Sequence, residues 1–439
     1  MPKEKQQSII LLTVVATALT AVLLYALWPA LIPPSPPVRG SRVYFADRIS
    51  AAHQKIISRF NQLHEGKIEV VPVDLPFDKF STNERKELLA RSLRSRSDKL
   101  DIFSVDLIWV DRFARWCEPL DRYFPNKERA NILPVALQSC FFDTSLVAMP
   151  LYIDIGVMYY REDLIQRLPD AHGIEERLRE SMSWPEFLQL RDRMGYAGKP
   201  YYVFQANEYE GLVCNYLELM MGKDSSSLDS ARINLQSPAA HFALQLLCDL
   251  VHRDHVSPVE VSEFDENLSY AYMLNNDAVF VRGWPNFVET FRKTYPDTAK
   301  LAHIRQAALP HFTGQHATSV FGGWNLMLSK YSTRKAEALE FIRFVETKEA
   351  QQLLYETDGL LPITESVYRD TTYMRDHPDL VYSYTLLRRG FHRPAMVDYT
   401  RISDIVSYYV RRAIRNELTV PEALQRASEM IRSNKVLIK

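Results

Sequence analysis

Residues 149–161, MPLYIDIGVMYYR, decide how the rest of the chain is interpreted. Pro150 fixes φ and ends the preceding segment. In an extended backbone alternate residues point to the same side, so Tyr152 and Asp154 would project together from an otherwise apolar strand. An aromatic ring beside a carboxylate, between two large halves of the chain, suggests a binding cleft. The alternative is a buried strand whose Tyr and Asp are satisfied by internal hydrogen bonds.

The composition is that of a globular protein with two or three domains. The chain has 439 residues, of which 46% are hydrophobic and 24% charged, and its formal net charge is −1. A chain of this length is too long to fold around one ordinary hydrophobic core. Because no strongly basic field would attract phosphate, we expect no nucleic-acid partner. Glycine is scarce, at 14 residues, whereas Tyr and Phe number 23 and 21, which fits aromatic-lined surfaces better than phosphate-binding loops.

The N-terminus predicts attachment to a membrane. Residues 8–32 carry no charge, and this run exceeds the roughly 20 apolar residues that span a bilayer as a helix. A cleaved signal peptide has a shorter apolar region, of about 7–15 residues. We therefore predict a transmembrane anchor and a stiff proline-rich spacer in residues 1–40, with the folded part in the periplasm or outside the cell. A cleaved export signal is the alternative and leaves the compartment unchanged.

The four cysteines, Cys117, Cys140, Cys214 and Cys248, are too widely spaced for a zinc motif. An oxidising compartment would permit a disulfide, but the spacing assigns no pairing. We expect buried free thiols for at least two of them.

The folded part begins with a βαβαβ pattern. Strand-like runs at 41–47, 67–75 and 101–110 alternate with two amphipathic helices, the first of which has a stop signal at Gly66. This order predicts a mainly parallel, doubly wound sheet, with its ligand site beyond the carboxyl ends of the strands, where Asp106 stands.

The later part of the chain predicts a second α/β unit. A helix starts at Ser183 with a capping-box pattern, and strand-like runs recur, among them residues 307–312 and 319–329. The chain crosses between the two units near Pro150 and returns near Pro310 and Pro362. Two lobes joined by several crossings have a cleft between them, which is a common place for ligand binding.

Motifs of enzymes and cofactor sites are absent. The patterns G-x-x-x-x-G-K-[ST], G-x-G-x-x-G, H-E-x-x-H and G-x-S-x-G do not occur. We therefore predict no cofactor, no metal and no enzyme activity. His252 and His255 lack a local third ligand and are interpreted as structural or solvated. Asp106 and Asp154 could pair in a glycosidase, although nothing marks either as the raised-pKa acid that this chemistry requires.

Aromatic and polar groups instead gather at predicted strand ends. Trp284 stands in a turn after an apolar strand, and a Gly-Gly pair precedes Trp324. Arg393 precedes a proline, which favours extended chain. Sugar C–H faces stack on aromatic rings, and vicinal hydroxyls bond to carboxylates and Arg, so carbohydrate recognition needs such groups. Each motif alone is also compatible with a structural role.

Seven segments, in order along the chain, carry a family likeness. They are DIFSVDLIWVDRFARWCEPLDRYF, MPLYIDIGVMYYREDL, SWPEF, YEGLVCNYLELM, AVFVRGWPNF, FGGWNLMLSKYSTRKAEALEFIRFV and HRPAMVDYTRISD. These segments resemble the extracellular solute-binding proteins of family 1, and within that family the trehalose- and maltose-binding components of sugar ABC importers. The likeness runs from about Val43 to the C-terminus.

The resemblance implies a two-lobe α/β fold of the periplasmic-binding-protein kind (type II), whose lobes close on a ligand by hinge bending. Lobe 1 would comprise residues 41–151 and 316–360, and lobe 2 would comprise residues 152–315 and 361–439. The implied function is capture of a disaccharide or oligosaccharide, such as trehalose or maltose. The implied partners are that sugar and the ABC permease subunits in the membrane, and the protein would be a monomer.

The resemblance also implies a set of ligand-binding residues. They are Asp106, Tyr152, Asp154, Trp284, Gly322, Gly323, Trp324 and Arg393, with Glu210 and Glu266 as looser matches. One position departs from the family pattern, because Asn286 stands where an aromatic residue is usual after the Trp-Pro pair.

Two further departures leave other functions open. The loop at 46–50, ADRIS, lacks the glycine-rich character common at the first strand-to-helix turn. A membrane span replaces the lipoprotein cysteine of many relatives. A membrane-tethered sugar sensor or scaffold is therefore the alternative function, and a membrane-anchored glycoside hydrolase is the third.

Overall fold

The computed structural model describes residues 40–75, 82–229 and 232–433. The predicted anchor and all but the last residue of the predicted spacer lie outside these residues. Within the described ranges, no helix has both the length and the apolar composition that crossing a bilayer requires.

The strands are short and are numbered here in chain order. They are β1 (Ser41–Asp47), β2 (Ile68–Asp74), β3 (Ile102–Asp106), β4 (Phe141–Phe142), β5 (Ser145–Leu146), β6 (Met149–Ile155), β7 (Val157–Arg161), β8 (Tyr202–Val203), β9 (Leu228–Asp229), β10 (Arg232–Ile233), β11 (Phe280–Gly283), β12 (Ile304–Ala307), β13 (Ser319–Leu328) and β14 (Gly390–Phe391).

The α-helices are numbered in the same way. They are α1 (Ala51–Leu63), α2 (Thr82–Arg94), α3 (Val110–Phe113), α4 (Asn126–Arg129), α5 (Pro134–Leu137), α6 (Glu162–Ile165), α7 (Ala171–Glu180), α8 (Trp184–Arg193), α9 (Glu210–Lys223), α10 (Pro238–His252), α11 (Glu266–Asn275), α12 (Phe287–Arg292), α13 (Thr298–Ala302), α14 (Lys335–Val345), α15 (Lys348–Asp358), α16 (Glu365–Tyr368), α17 (Thr371–Asp376), α18 (Pro378–Leu386), α19 (Tyr399–Ile414) and α20 (Val420–Arg432).

A six-stranded sheet forms the first half of the molecule. Its order is β14-β13-β3-β1-β2, with β6 also paired to β13. β1 runs parallel to both β2 and β3, so the predicted βαβαβ unit is confirmed. Helix α1 begins where the Ser50 side chain accepts from the backbone N–H of His53, and Gly66 lies just beyond its end with φ +75°. Strand β13, which lies much later in the sequence, joins this sheet antiparallel to β3 and β6.

A four-stranded sheet, of order β12-β7-β11-β8, forms the second half. β7 is antiparallel to β11 and β12, whereas β8 is parallel to β11. Helix α8 starts with the predicted capping box, in which Ser183 and Glu186 each cap the other's backbone N–H. Helix α9 is buried on nearly all sides because α10, α19 and β13 pack around it.

The chain passes from one sheet to the other at Gly156, between β6 and β7. It returns through residues 308–318, which join β12 of the four-stranded sheet to β13 of the six-stranded sheet. Residues 360–363 then run beside β6, where Leu361 forms an isolated bridge with Ile153. These passages place a junction between two α/β halves, and the residue boundaries of the two lobes given above remain a prediction.

Two predicted strands are shorter than expected. The run at 101–110 leaves the strand after Asp106, because the Asp106 carboxylate accepts from the backbone N–H of Ile108 at 3.1 Å and caps a 3₁₀ turn. The run at 307–312 continues past β12 as a loop. Pro310 has no N–H to donate to a ladder, and His311 instead forms backbone bonds with residues 182 and 184.

Three of the four cysteines, Cys117, Cys140 and Cys214, are buried, and all four are free thiols. The expectation of at least two buried free thiols is therefore confirmed. Burial raises the pKa of each buried thiol above its ordinary value, which makes these groups poor nucleophiles.

Gly323 should be indispensable to the pairing of β13. Its φ is +133°, and a Cβ there would lie 2.6 Å from the carbonyl oxygen of Tyr152. We expect Gly323→Ala to lower the free energy of unfolding by about 3 kcal/mol or more, since strain and a backbone clash add. Equilibrium urea unfolding followed by circular dichroism measures this loss.

The matched control is Gly66→Ala. Gly66 also has positive φ, at +75°, but a Cβ there would meet nothing within 4 Å. Only the cost of the left-handed backbone remains, about 1–2 kcal/mol. Equal losses in the two variants would show that the close approach of Tyr152 contributes nothing.

Candidate functional site

Strand pairing brings three of the predicted site residues into one row. Trp324 on β13 lies opposite Asp106 on β3 and, across its other edge, opposite Tyr152 on β6. Residues directly opposite each other in antiparallel strands project to the same face. Gly322 and Asp154 form the next pair along the same two strands. One face of the six-stranded sheet therefore carries the side chains of two carboxylates, a phenol and an indole.

Trp284 reaches this face from the other half of the molecule. It follows β11 and is fixed by its backbone, whose N–H donates to the Tyr270 hydroxyl at 2.9 Å. A Cβ built on Gly322 would lie 2.8 Å from the indole carbon Cζ3, so the ring rests against the bare glycine. The indole N–H donates to the Glu266 carboxylate at 3.1 Å. Trp284 thus bridges the two sheets, and Glu266 sets its orientation.

Arg393 links the two halves by charge. Its Nη1 donates to Glu210 Oε1 at 2.6 Å and its Nη2 to Asp106 Oδ1 at 3.1 Å. Glu210 begins α9, and its carboxylate also accepts from the hydroxyls of Tyr399, at 2.8 Å, and Ser403. Arg393 is buried, which opposes its charge, but the neighbouring anionic groups raise its pKa above the ordinary value. The guanidinium is therefore a fixed cation held between two carboxylates.

Asp154 is the buried acid of the site. Its Oδ1 has no hydrogen-bond partner among the described residues. Burial, and secondly the negative charge of Asp106, raise the pKa of Asp154 to about 8, against the lowering effect of Arg282. The carboxyl is therefore mainly protonated at neutral pH and offers a donor as well as an acceptor.

A second buried cation, Arg282, is not among the site residues predicted from the sequence. Arg282 is 0% exposed, and its Nη2 donates to Glu218 Oε1 at 2.9 Å. Its guanidinium carbon lies 4.1 Å from the centroid of the Trp284 ring, a cation–π contact that supports the indole from behind. The available signal was an arginine inside the apolar strand AVFVRGW, since a buried charge needs a partner.

The first strand-to-helix loop holds a further cluster that was not foreseen. Asp47, at the end of β1, pairs with Arg85 Nη2 at 2.9 Å and with His53 Nε2 at 3.2 Å. Burial alone would raise the pKa of Asp47, but His53 and Arg85 hold it below its ordinary value. The Arg85 guanidinium also lies 4.6 Å from the centroid of the Trp324 ring. Charged pairs thus gather at the loop 46–50, ADRIS, whose sequence contains no glycine.

The structure gathers the ten predicted site residues around the junction of the two sheets. Asp106, Tyr152, Asp154, Gly322, Gly323 and Trp324 come from the six-stranded sheet, Glu210, Glu266 and Trp284 from the other half, and Arg393 from the segment after β14. A space of about 180 Å³ lies beside Tyr152 and the two glycines, and the other seven residues do not line it. Their roles as ligand contacts remain a prediction.

Comparison with known proteins identifies the family. A family model described as bacterial extracellular solute-binding protein matches residues 45–352. A Deinococcus radiodurans relative, described as a probable ABC transporter-binding protein, is 25% identical over 331 residues, which cover 74% of this chain and 78% of the relative.

Solved structures show the same architecture. The maltose-bound MalE3 of T. maritima superposes with a TM-score of 0.79 at 26% identity, over 90% of this chain and 100% of that one. A solute-binding protein of an ABC transporter from Thermotoga lettingae, bound to tagatose, has a TM-score of 0.75 at 20% identity, over 90% and 99% of the two chains. The molecule therefore has the two-lobe α/β fold of periplasmic binding proteins, and the chain belongs to the bacterial extracellular solute-binding protein family.

Proposed function

We propose that this protein is the substrate-binding component of a bacterial sugar ABC importer. It would capture a neutral disaccharide or oligosaccharide, of the maltose or trehalose kind, in the cleft between the two sheets. The observation that carries the proposal is the Trp284 indole, which crosses from one sheet to rest on Gly322 of the other, beside Asp154. The likeness to a maltose-bound protein supports the same ligand class.

The charges of the cleft favour an uncharged ligand. Arg393 is already matched by Asp106 and Glu210, and burial keeps the Asp154 carboxyl protonated at neutral pH by raising its pKa to about 8. A charged solute would compete for one of these charged groups and leave its buried partner uncompensated, which is unfavourable. Sugar hydroxyls both donate and accept, and sugar C–H faces stack on an indole, so a neutral sugar complements the set.

Binding would proceed by hinge closure of a type II fold. The Trp284 ring of one half rests against Gly322 of the other, so the two halves are in contact where a sugar would stack. The lobes would therefore separate to admit a disaccharide. Gly156, residues 308–318 and the segment near residue 361 are the connections that would bend. Closure would be driven by the extra contacts that the sugar gains between the lobes.

The setting of this function follows from the N-terminal sequence. Residues 8–32 would anchor the protein as a transmembrane helix, and residues 33–40 would space the folded part from the bilayer outside the cytoplasm. A monomer on this tether would deliver its sugar to ABC permease subunits in the same membrane. The apolar run equally suits a tethered sugar sensor or scaffold, for which no permease would be required.

Trp284→Ala should weaken sugar binding. We expect an affinity loss of about 1–3 kcal/mol for maltose or trehalose, because one stacking anchor is removed. Isothermal titration calorimetry measures the loss, with Phe242→Ala as control, since Phe242 is a partly exposed aromatic on α10 outside the cleft. Unchanged affinity in Trp284→Ala would remove the indole from the site. No saturable binding of any sugar by the native protein would refute the proposed function, and consumption of the disaccharide would indicate a hydrolase.

Asp154→Asn should flatten the pH dependence of stability. The pKa of Asp154 is raised from 3.8 to about 8 on folding, so the folded protein holds this proton more tightly than the unfolded chain. Stability from this group is then fully present below pH 4 and is lost as the pH rises toward 8. We expect the free energies of unfolding of the variant and the native protein to lie closer together at pH 5 than at pH 8. At pH 8 the variant should be more stable than the native protein by about 1 kcal/mol or more. Urea unfolding between pH 5 and 9 measures the difference.

Glu346→Gln is the matched comparison for Asp154→Asn. Burial, with the charge of Glu128, raises the pKa of Glu346 to about 8 as well, but Glu346 follows α14 and is not among the residues of the cleft. Both variants should show the same change in stability with pH, whereas only Asp154→Asn should alter sugar affinity. Parallel stability curves of Asp154→Asn and the native protein would contradict a protonated Asp154.

A further inference from the structure

A second cavity lies outside the cleft, on the far side of α9. Its total space is about 470 Å³, a figure that counts the solvent at its open mouth, so the enclosed part is smaller. Helices α8, α9 and α10 and the loop at 308–318 form its walls. The residues that matter to the argument are Trp184, Tyr202, Glu218, Leu219, Leu247 and Phe312.

The cavity contains a buried donor without an acceptor. Trp184 is 5% exposed, and its indole N–H has no hydrogen-bond partner among the described residues. The ring is held edge-on by Phe187, at 5.7 Å, and by Tyr202, at 5.9 Å, so it is not free to turn toward another partner. A buried indole N–H usually finds an acceptor. Because Trp184 lines the cavity, an acceptor atom on a bound molecule would satisfy it.

The remaining walls select for a flat and uncharged molecule. Tyr202, Leu219, Leu247 and Phe312 present aromatic and aliphatic surface. The single carboxylate of the wall, Glu218, is already committed to Arg282 and to the backbone N–H of β13. The wall thus offers apolar contact area and the unpartnered N–H of Trp184. It also carries polar groups, of which Asn215, His311 and Thr318 already form hydrogen bonds and His316 lies exposed at the mouth. Such a lining matches a small aromatic ring with a single oxygen acceptor.

We propose that this cavity is a second ligand site, which binds a small neutral aromatic molecule carrying a carbonyl or hydroxyl oxygen that accepts from Trp184 Nε1. The site is separate from the sugar cleft and does not depend on the proposed function. Its occupant would contact Glu218, whose backbone carbonyl accepts from the Thr318 hydroxyl at 3.2 Å in the connection that leads into β13.

Acetophenone and toluene test the site as a matched pair, because they share the ring and differ by the acceptor. Saturation-transfer NMR on the purified native protein should show saturable binding of acetophenone, at least fivefold tighter than that of toluene. Saturating maltose should leave acetophenone binding unchanged, which separates this cavity from the cleft. Absence of saturable acetophenone binding, or its displacement by maltose, would overturn the proposal.

Two variants locate the binding. Leu219→Trp fills the cavity and should abolish acetophenone binding, whereas Leu63→Trp makes the same change at an exposed end of α1, where Leu63 is 52% exposed, and should leave binding intact. Trp184→Phe keeps an aromatic ring but removes the donor, so acetophenone should fall to the affinity of toluene while toluene is unaffected. If Leu219→Trp does not fold, the Trp184→Phe comparison decides. Equal acetophenone affinity in Trp184→Phe and the native protein would refute the site.

Discussion

The Glu218–Arg282 ion pair is the interaction on which the arrangement of the two halves depends. Glu218 projects from α9, Arg282 belongs to β11, and the same carboxylate accepts from the backbone N–H of Val320 on β13 at 3.2 Å. A Cβ on Gly156 would lie 2.0 Å from that carboxylate oxygen, so the chain can cross between the sheets here only as glycine. A buried charge that loses its partner costs about 3–5 kcal/mol. The pair therefore fixes where the sheets meet.

The position of the Trp284 indole follows from this pair. Arg282 lies beneath the face of Trp284, at 4.1 Å from the ring centroid, while the far edge of the ring meets Gly322. One side of the indole is thus taken by a cation that cannot leave its own partner, Glu218. A ligand that stacks on the ring would have to use the face opposite Arg282. Under the proposed function, stacking at Trp284 would therefore require the two sheets to separate where its edge rests on Gly322.

Local sequence patterns were sufficient for part of this site. The spacing of Tyr152 and Asp154 places both on one face of β6, because alternate residues of a strand project to the same face. The contacts that join distant segments were beyond such patterns. Arg393 meets its carboxylates across more than 180 residues, and no periodicity encodes that distance. Glu218 and Arg282 each interrupt an apolar run, which indicates that each is a buried charge in need of a partner. The sequence alone does not show which residue that partner is.

Glu218 also lies between the junction of the two sheets and the cavity beside α9. Its carboxylate faces Arg282 and, through it, the Trp284 ring, whereas the residue lines the cavity beneath α9 on its other side. The loop that forms the mouth of that cavity leads directly into β13, whose Gly322 closes the cleft. The bonds from Thr318 and Val320 to Glu218 are made by the same short stretch of chain, and they hold the start of β13 against α9. A single residue, Glu218, therefore separates the cavity from the guanidinium that supports the Trp284 indole.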